Sequence, residues 1–347
     1  MNRVLQAGQR VARRFMQRTD YAADYKNDLA LEGMLAWHDV TQDRSVLDHV
    51  LTVLDVRGAK PGDGLDWRRQ QFVCLDFALF LATEDEAHVA RFVEVARAYR
   101  ENVPRTADGA VAHFYRPETN RIFVDMLQGY ATFMARAGWR SGDERFFDES
   151  VEQYVLFRKI LRDPETGLWR QGRGWGPSPD VLAPIGWLRG QGWLIRGMVE
   201  SLTYIPADHA AHRRMRDMLV EFAGDLLRYQ DGRGMWHQVA QRADSYPETT
   251  GTGLIVHYLC RAVAQGLLPA DPYRLAARRG ALGLAGFVTR DGTVLNGSRG
   301  TGPLGDLEHY LHRPAAPGDP HTIGTTLLGC AGPLLSTRDL SRSALES

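Results

Sequence analysis

The feature that most constrains the fold is a repeated pattern in which a short polar turn with an aspartate precedes an amphipathic helix. Clear copies are VTQDRSVLDHVLTVLD from residue 40, ATEDEAHVARFVEVARAY from 82 and RSGDERFFDESVEQYVLF from 140. Looser copies begin at residues 205 (IPADHAAHRRMRDMLVEFAGDLL) and 268 (LPADPYRLAARRGALGLAGFV). The aspartate of each turn can accept hydrogen bonds from free N–H groups of the next helix, whose apolar residues recur at helical intervals. We therefore expect helices to start at Asp43, Asp85, Asp143, Asp208 and Asp271.

The spacing of these turns indicates helical hairpins arranged in series. Neighbouring turns are about 40 to 65 residues apart, the length of a helical hairpin with its connection, and the alternation typical of strands is scarce. Hairpins in series form either a closed (α/α) toroid around a cavity or an open solenoid. Irregular repeat lengths and Gly-, Pro- and Trp-rich insertions at 167–193 and 289–322 favour the closed ring. The sequence thus predicts an all-α chain of one domain, 1–347, with an N-terminal helix at about residues 1–20.

Composition narrows the class of ligand. Lys plus Arg and Asp plus Glu both number 42, so the net charge favours neither nucleic acid nor an anionic membrane, and a compact or neutral ligand is expected. No apolar run is long enough to span a bilayer, and arginines interrupt the N-terminal apolar pattern, unlike a secretory signal. We therefore expect a cytoplasmic protein. The three cysteines are far apart, which argues against disulfides and a thiolate metal site.

Two aspartates are candidates for chemistry. Asp125 stands in the apolar run RIFVDML, where a carboxyl group must be hydrogen-bonded or bind its proton more tightly. A raised proton affinity makes a carboxyl group a usable general acid near neutral pH. Asp66, in GDGLDWRRQQF, follows a Gly/Pro-rich turn, and could equally be a helix cap. Two carboxyl groups in one pocket are typical of glycosidic chemistry.

A second group of candidates combines aromatic and polar side chains. Trp236 and His237 precede Tyr246 and Glu248 in a stretch that ends in TTGTG, a small-residue opening to the next helix. Such crowding suits a sugar, whose ring stacks on indole while its hydroxyl groups form hydrogen bonds. His113 lies in a loop-like stretch, where an exposed histidine with no special role is an alternative. No metal-binding spacing such as HExxH is present, so we expect neither metal nor cofactor.

Three glycine-containing stretches are predicted to surround a ligand. In WLRGQGW, residues 187–193, Trp187 and Trp193 flank Arg189, although tryptophan and glycine at a helix start can also serve packing. GRGWG (172–176) and GSRGTGPLG (297–305) lack the context of phosphate-binding loops, so we interpret them as cavity loops.

Several of these stretches together resemble a known family. NVPRTADGAVAH, FVDMLQGYATFMARAG, DPETGLWRQ, WLRGQGW and GMWHQVAQRADSYPETTGTG occur in this order, followed by DGTVLNGSRGTG and YLHRPAAPGDPHTIGTTLL. The ordered set resembles the unsaturated glucuronyl and rhamnogalacturonyl hydrolases, glycoside hydrolase families 88 and 105 of the six-hairpin glycosidases. The likeness runs from about residue 28 to about residue 333. It implies an (α/α)6 barrel, a small oligosaccharide substrate with a 4,5-unsaturated uronic acid at its non-reducing end, and no metal.

The resemblance also implies roles for individual residues. Asp125 matches the aspartate that protonates C4 of the enol ether and then activates the water that adds at C5, and Asp66 plausibly matches a second aspartate. Trp187, Arg189 and Trp193 match a substrate-contacting W-x-R-G-x-x-W motif. The further residues that the resemblance implies at the sugar site are His113, Phe123 and Gln171.

The chain departs from the family pattern at three positions. Phe123 stands where many relatives have Trp, and Phe114 where some have Lys. Gln171 stands where a His often follows the D-P-x-T-G-L motif. These departures put the substrate in question more than the fold. The alternatives are a divergent glycosidase or lyase-like enzyme acting on another acidic sugar or glycoside, and a carbohydrate-binding protein without catalysis.

Overall fold

The computed structural model describes residues 1–66, 74–113, 120–302 and 306–335. Phe114, one of the departures from the family pattern, lies outside these ranges. Two short strands are present, β1 (Ile122–Phe123) and β2 (Gly172–Arg173). The α-helices within the described ranges are α1 (Asn2–Met16), α2 (Tyr25–Thr41), α3 (Arg44–Val56), α4 (Leu75–Thr83), α5 (Phe92–Asn102), α6 (Thr132–Ser141), α7 (Arg145–Leu161), α8 (Leu188–Tyr204), α9 (Ala210–Leu227), α10 (Thr249–Ala264), α11 (Tyr273–Ala285), α12 (Leu307–Leu311) and α13 (Pro320–Ala331).

Asp43 caps α3 as predicted, whereas Asp85 caps the 3-10 turn Glu86–His88 ahead of α5, and Asp143 lies one residue before Glu144, the cap position of α7. The carboxylates of Asp43, Asp85 and Asp143 each accept a hydrogen bond from the backbone N–H group two residues further on. These bonds satisfy one of the N–H groups that the first turn of a helix leaves without an intrahelical partner. The turn chemistry therefore sets where these helical segments start.

The capping prediction is wrong for the two looser copies of the pattern. Helix α9 begins one residue later than expected, so that His209 occupies the cap position and its ring accepts a hydrogen bond from the backbone of Ala211. Helix α11 follows Pro272 and has no side-chain cap, so Asp271 does not fill this role either. Both helices nevertheless start within two residues of the predicted turns.

The helices form two concentric rings, as burial shows. In α8, 16 of 17 residues are buried, whereas in the next helix, α9, only 7 of 18 are. A helix that is buried on all sides lies inside the protein, and one with a single apolar stripe lies at its surface. Inner and outer helices alternate in this way from α6 to α11, which is the pattern of the two concentric rings of an (α/α)6 toroid.

The ring closes where α13 packs against α2. A Cβ atom placed on Gly33 of α2 would lie 2.6 Å from the carbonyl oxygen of Gly324 in α13, so only glycine permits this close approach. Helix α1, the predicted N-terminal helix, buries one face and packs against α13 from outside. The closed ring, rather than the open solenoid, is therefore the observed arrangement.

A buried ionic network joins three inner helices. Arg196 of α8 forms ion pairs with Glu32 of α2 at 2.7 Å and with Glu200 one turn further along α8 at 3.2 Å. Glu200 also pairs with Arg136 of α6 at 2.6 Å. Burial alone would raise the pKa of Glu200, but the neighbouring guanidinium groups outweigh it and hold that pKa at about 2. The two arginines therefore keep Glu200 ionised in the interior.

No helix in the described ranges combines the length and the apolar character needed to cross a bilayer. Cys74, Cys260 and Cys330 are all free thiols, as their spacing predicts. Burial raises the pKa of each thiol to about 12, so these cysteines are not activated nucleophiles.

Candidate active site

A cavity of about 320 Å³ opens at the end of the toroid where several inner helices begin. Tyr25 is the first residue of α2, Asp125 starts the helical turn after β1, and His321 is the second residue of α13. Trp187 immediately precedes α8. Because helix N-termini carry partial positive charge and free N–H groups, this mouth favours an anionic ligand. The volume falls in the range of small-molecule sites.

Asp125 is held at the cavity wall by a short β-ladder and the turn after it. Phe123 of β1 pairs with Gly172 of β2, and the N–H group of Val124 donates to the carbonyl of Gln171 at 2.8 Å. The chain then enters a helix whose residues Leu127–Ala131 form a π-helical turn, a feature found often at functional sites. This local geometry points a carboxyl group out of an apolar run and into the cavity.

The environment of Asp125 favours its protonated form. The residue is 3% exposed, and its Oδ1 atom has no hydrogen-bond partner among the described residues. Burial raises the pKa of Asp125 to about 8, although the positive charge of Arg189 acts in the opposite direction. A carboxyl group that keeps its proton at neutral pH can act as a general acid.

Arg189 supplies the positive charge of the cavity. It is 2% exposed, and its guanidinium group donates to the carbonyl oxygens of Ser298 at 2.8 Å and Arg299 at 3.2 Å, and also to the Ser298 hydroxyl. Its Cζ atom lies 4.9 Å from the ring centroid of Trp187. None of its partners in the described ranges is a carboxylate, so a bound anion would supply the missing counter-charge.

Aromatic rings form the opposite wall. Phe123 and Trp175 line the cavity with their ring centroids 5.9 Å apart. The ring of His113 lies behind them, 4.9 Å from Trp175 and 5.9 Å from Phe123. Burial and the charge of Arg121 lower the pKa of His113 to about 4, so the imidazole is neutral. His113 is only 7% exposed, so the alternative of an ordinary exposed histidine is wrong.

The predicted glycine-rich loop from residue 297 closes the cavity. Gly300, Thr301 and Gly302 belong to the lining. Gln171 anchors this loop from beneath, because its side-chain amide donates to the Thr301 carbonyl at 2.8 Å and accepts from the Tyr310 hydroxyl. Gln171 itself is 1% exposed and does not belong to the described lining, so its predicted contact with the sugar stays a prediction.

Trp236 and His237 do not belong to the described cavity lining. The indole of Trp236 is fully buried and donates to the carbonyl of Leu226 at 2.8 Å. The two ring nitrogens of His237 bind the Ser245 carbonyl and, at 3.2 Å, the Asp231 carboxylate. Packing and protein hydrogen bonds engage both side chains, and their contact with the sugar stays a prediction.

Glu248, in the same stretch, has a structural role. Its carboxylate accepts from the backbone of Thr250 and Gly251 at the start of α10, and from the N–H group of Ser298 at 2.9 Å. Glu248 thus ties the start of α10 to the loop that holds Arg189.

Asp66 is partly buried in the turn that precedes α4 and does not belong to the described cavity lining. The turn is fixed by Asp76, whose carboxylate accepts from the N–H group of Gly62 at 2.7 Å and contacts the ring of His88 at 3.2 Å. Helix α4 begins at Leu75 with Cys74 at its cap position, and the residues directly after Asp66 lie outside the described ranges, so the cap role of Asp66 stays a prediction. The part of Asp66 in catalysis also stays a prediction.

Several cavity residues were not singled out from the sequence. Tyr25, Trp175, Thr301 and His321 all line the cavity beside the five predicted members Phe123, Asp125, Trp187, Arg189 and Trp193. Trp175 and Thr301 fall in the glycine-rich stretches interpreted as cavity loops. That interpretation was the sequence signal that could have identified them. Among the described residues, no three His, Cys, Asp or Glu side chains are grouped as a metal site.

A protonated carboxyl group facing an arginine between aromatic walls, at the mouth of an (α/α)6 toroid, defines a carbohydrate-processing enzyme of the six-hairpin class. The model of Glycosyl Hydrolase Family 88 matches residues 6–332, and the chain belongs to this family.

A curated relative and two solved structures support this assignment. The unsaturated rhamnogalacturonyl hydrolase YesR of Bacillus subtilis (strain 168) is 25% identical over 315 residues, covering 88% of this chain and 87% of the relative. A family 105 glycoside hydrolase of C. acetobutylicum superposes with a TM-score of 0.80 at 24% identity, covering 94% of this chain and 98% of that one. The unsaturated glucuronyl hydrolase of Bacillus sp. GL1 gives 0.65 at 17% identity, covering 94% of each chain. The two structures share the fold of this chain.

Proposed function

We propose that this enzyme removes a 4,5-unsaturated uronic acid from the non-reducing end of small oligosaccharides. The observation that carries the proposal is the buried Asp125 carboxyl group, whose pKa of about 8 keeps it protonated in a cavity that also holds a positive charge. The names of YesR and of the Bacillus sp. GL1 enzyme describe hydrolases of unsaturated uronyl substrates, which supports the same chemistry here.

In the proposed mechanism, Asp125 donates its proton to C4 of the enol-ether double bond. The positive charge that develops at C5 is shared with the ring oxygen, and the new Asp125 carboxylate takes a proton from water as the water oxygen bonds to C5. The resulting hemiketal opens and the bond at C1 breaks, which releases the neighbouring sugar. One water molecule is consumed, and the carboxyl group regains its proton.

Arg189 is proposed to bind the carboxylate on C5. Its planar guanidinium group matches a carboxylate, and no described carboxylate side chain neutralises it. The rings of Trp187, Trp193, Phe123 and Trp175 would contact the faces of the sugar. Substrate charge and reacting double bond are thereby directed to Arg189 and Asp125 respectively.

We further propose that the reaction occurs in the cytoplasm and uses only protein groups and water. Cell fractionation tests the location. Rates measured with and without a chelator test the absence of a metal, and a loss of activity that added metal restores would contradict it.

The proposed function is tested with unsaturated disaccharides made by polysaccharide lyases, by following the loss of the ultraviolet absorbance of the double bond. Wild type should consume at least one of them. Asp125→Asn, which keeps the shape of the side chain, should lose at least about a thousandfold in kcat while still binding the disaccharide. Equal activity in this variant would contradict the role of Asp125, and an inactive wild type would favour a divergent substrate.

A second candidate, a divergent enzyme for another acidic glycoside, is favoured by one observation. Gln171 faces the loop at Thr301 rather than the cavity, so the sugar loses a contact that the family resemblance implies at this position. A panel of saturated uronides assayed by release of the neighbouring sugar would distinguish the two candidates.

A further inference from the structure

His321 lines the cavity and carries a buried polar atom that the proposed mechanism leaves without a role. The residue is 3% exposed and belongs to the cavity lining. Its Nε2 atom has no hydrogen-bond partner among the described residues. Because a buried polar atom without a hydrogen-bond partner destabilises the protein, a ligand group that completes the bond is the simplest reason for a histidine here.

The orientation of the His321 ring is fixed by its neighbours. The ring lies 5.9 Å from the Trp193 indole at an interplanar angle of 25°, and 5.7 Å from Tyr25 at 83°. Its backbone N–H group donates to Asp319 at 3.0 Å, which caps the start of α13. A ring held on two sides by aromatic contacts and at its backbone by a cap presents its nitrogen in a defined direction.

The charge state of His321 is also set by its surroundings. Burial lowers the pKa of His321 well below its usual value, and the positive charges of Arg189 and Lys26 act in the same direction. The Nε2 atom of a neutral imidazole either donates or accepts one hydrogen bond, depending on the tautomer. This behaviour suits a hydroxyl group, which can both donate and accept.

We propose that His321 is a substrate-binding residue whose Nε2 atom hydrogen-bonds a ring hydroxyl of the terminal sugar. The assignment rests on the proposed function. In the unsaturated sugar, C4 and C5 react and the carboxylate on C5 belongs to Arg189, so the hydroxyl groups on C2 and C3 remain for recognition. The stacked Trp193 ring continues the surface against which the sugar ring would lie.

The test compares His321→Phe with wild type on three substrates: an unsaturated disaccharide and its analogues without the C2 or the C3 hydroxyl group. Phenylalanine keeps the ring and its stacking on Trp193 but removes the nitrogen. Wild type should lose about tenfold in kcat/KM on one of the two deoxy analogues. His321→Phe should lose about tenfold on the parent disaccharide and no longer distinguish it from that analogue. The pH dependence of kcat/KM should be the same in this variant as in wild type, because a neutral imidazole does not titrate near neutral pH.

His257→Phe is the matched control. His257 is also a buried imidazole, but its Nδ1 atom already contacts the Leu328 carbonyl at 2.9 Å, and it does not belong to the cavity lining. This variant should keep the discrimination between substrates, whatever its effect on stability. If His321→Phe does not fold, His321→Asn replaces it, with folding checked by thermal unfolding.

The outcomes separate the two proposals. A wild type that is inactive on every unsaturated disaccharide overturns the proposed function and the assignment of His321 with it. An active wild type that treats both deoxy analogues like the parent overturns the assignment of His321 alone. A His321 variant that retains the wild-type discrimination does the same.

Discussion

Asp125 and Arg189 line the same cavity, and among the described residues the guanidinium group of Arg189 binds hydroxyl and carbonyl oxygens rather than the carboxyl group of Asp125. This pairing with neutral oxygens explains why burial dominates over the attraction and raises the pKa of Asp125 to about 8. A direct pair would favour the carboxylate and remove the proton that the reaction needs. The arrangement thus keeps an acid and a cation available for two parts of one substrate.

The first prediction concerns the pH dependence of catalysis. Because only the protonated form of Asp125 can donate, kcat/KM should be nearly constant below its pKa of about 8 and fall about tenfold per pH unit above it. Initial rates between about pH 5 and 10 at constant ionic strength measure this falling limb of the pH profile. In kcat/KM, the limb reports the pKa of Asp125 in the free enzyme. A rate that rises through this region would show that Asp125 acts first as a base.

The second prediction concerns Arg189→Gln. Loss of the charge removes the group that lowers the pKa of Asp125, so the falling limb should move to higher pH. The loss of a buried partner for the substrate carboxylate should also reduce kcat/KM by about a hundredfold or more.

Arg189→Lys is the control for the second prediction, because it keeps the charge but not the planar fork. It should retain the wild-type position of the limb while still weakening substrate binding. A limb at the same pH in both variants and in wild type would show that Arg189 does not act on Asp125.

The third prediction links Asp125 to stability. Its pKa is about 8 in the folded protein and near 3.9 in an unfolded chain, so between these values the folded state binds more protons. The free energy of unfolding of wild type should therefore fall as pH rises from about 4 to about 8, by up to about 1.4 kcal/mol per pH unit from this group. Asp125→Asn does not lose stability in this way. Its free energy of unfolding should therefore increase relative to that of wild type as pH rises over the same range.

Urea unfolding at several pH values measures this difference, in which the other ionisable groups largely cancel. The exposed Asp55→Asn variant serves as control and should follow wild type. A gap between Asp125→Asn and wild type that stays constant with pH would contradict the raised pKa.

The sequence predicted the parts of the fold and site that depend on local patterns. Helical periodicity and the turn aspartates identified the hairpins, and the stretches around Asp125 and Arg189 identified most of one side of the cavity. Tyr25 and His321 were missed because they come from opposite ends of the chain and meet only where α2 and α13 close the ring. No local signal distinguishes either residue from other tyrosines and histidines in the sequence.

Two of the predicted site residues, Trp236 and Gln171, do not belong to the described cavity lining, for a different physical reason. An indole suits a sugar or a core equally well, and for Trp236 the deciding fact is the hydrogen bond to Leu226, formed across a turn. For Gln171 the deciding contacts are to Thr301 and Tyr310, far along the chain. Burial and long-range partners of this kind are properties of the assembled toroid.

The fourth prediction tests Gln171 as the anchor of the cavity loop. Gln171→Leu fills a similar volume but leaves the Thr301 carbonyl and the Tyr310 hydroxyl without this partner. The lost hydrogen bonds should cost about 1–3 kcal/mol in the free energy of unfolding. A loop that must be ordered on binding should also raise KM about fivefold, with a smaller effect on kcat.

Gln230→Leu is the matched control for Gln171→Leu. The Gln230 amide also donates to backbone carbonyls, those of Gly234 and Ala276, each at 2.9 Å, but it does not belong to the cavity lining. It should lower stability while leaving KM unchanged, because the segments it joins do not contact substrate. Steady-state kinetics and urea unfolding of both variants separate the two effects. If Gln171→Leu loses stability but keeps the wild-type KM, the loop holds its position without the glutamine, and the anchoring role fails.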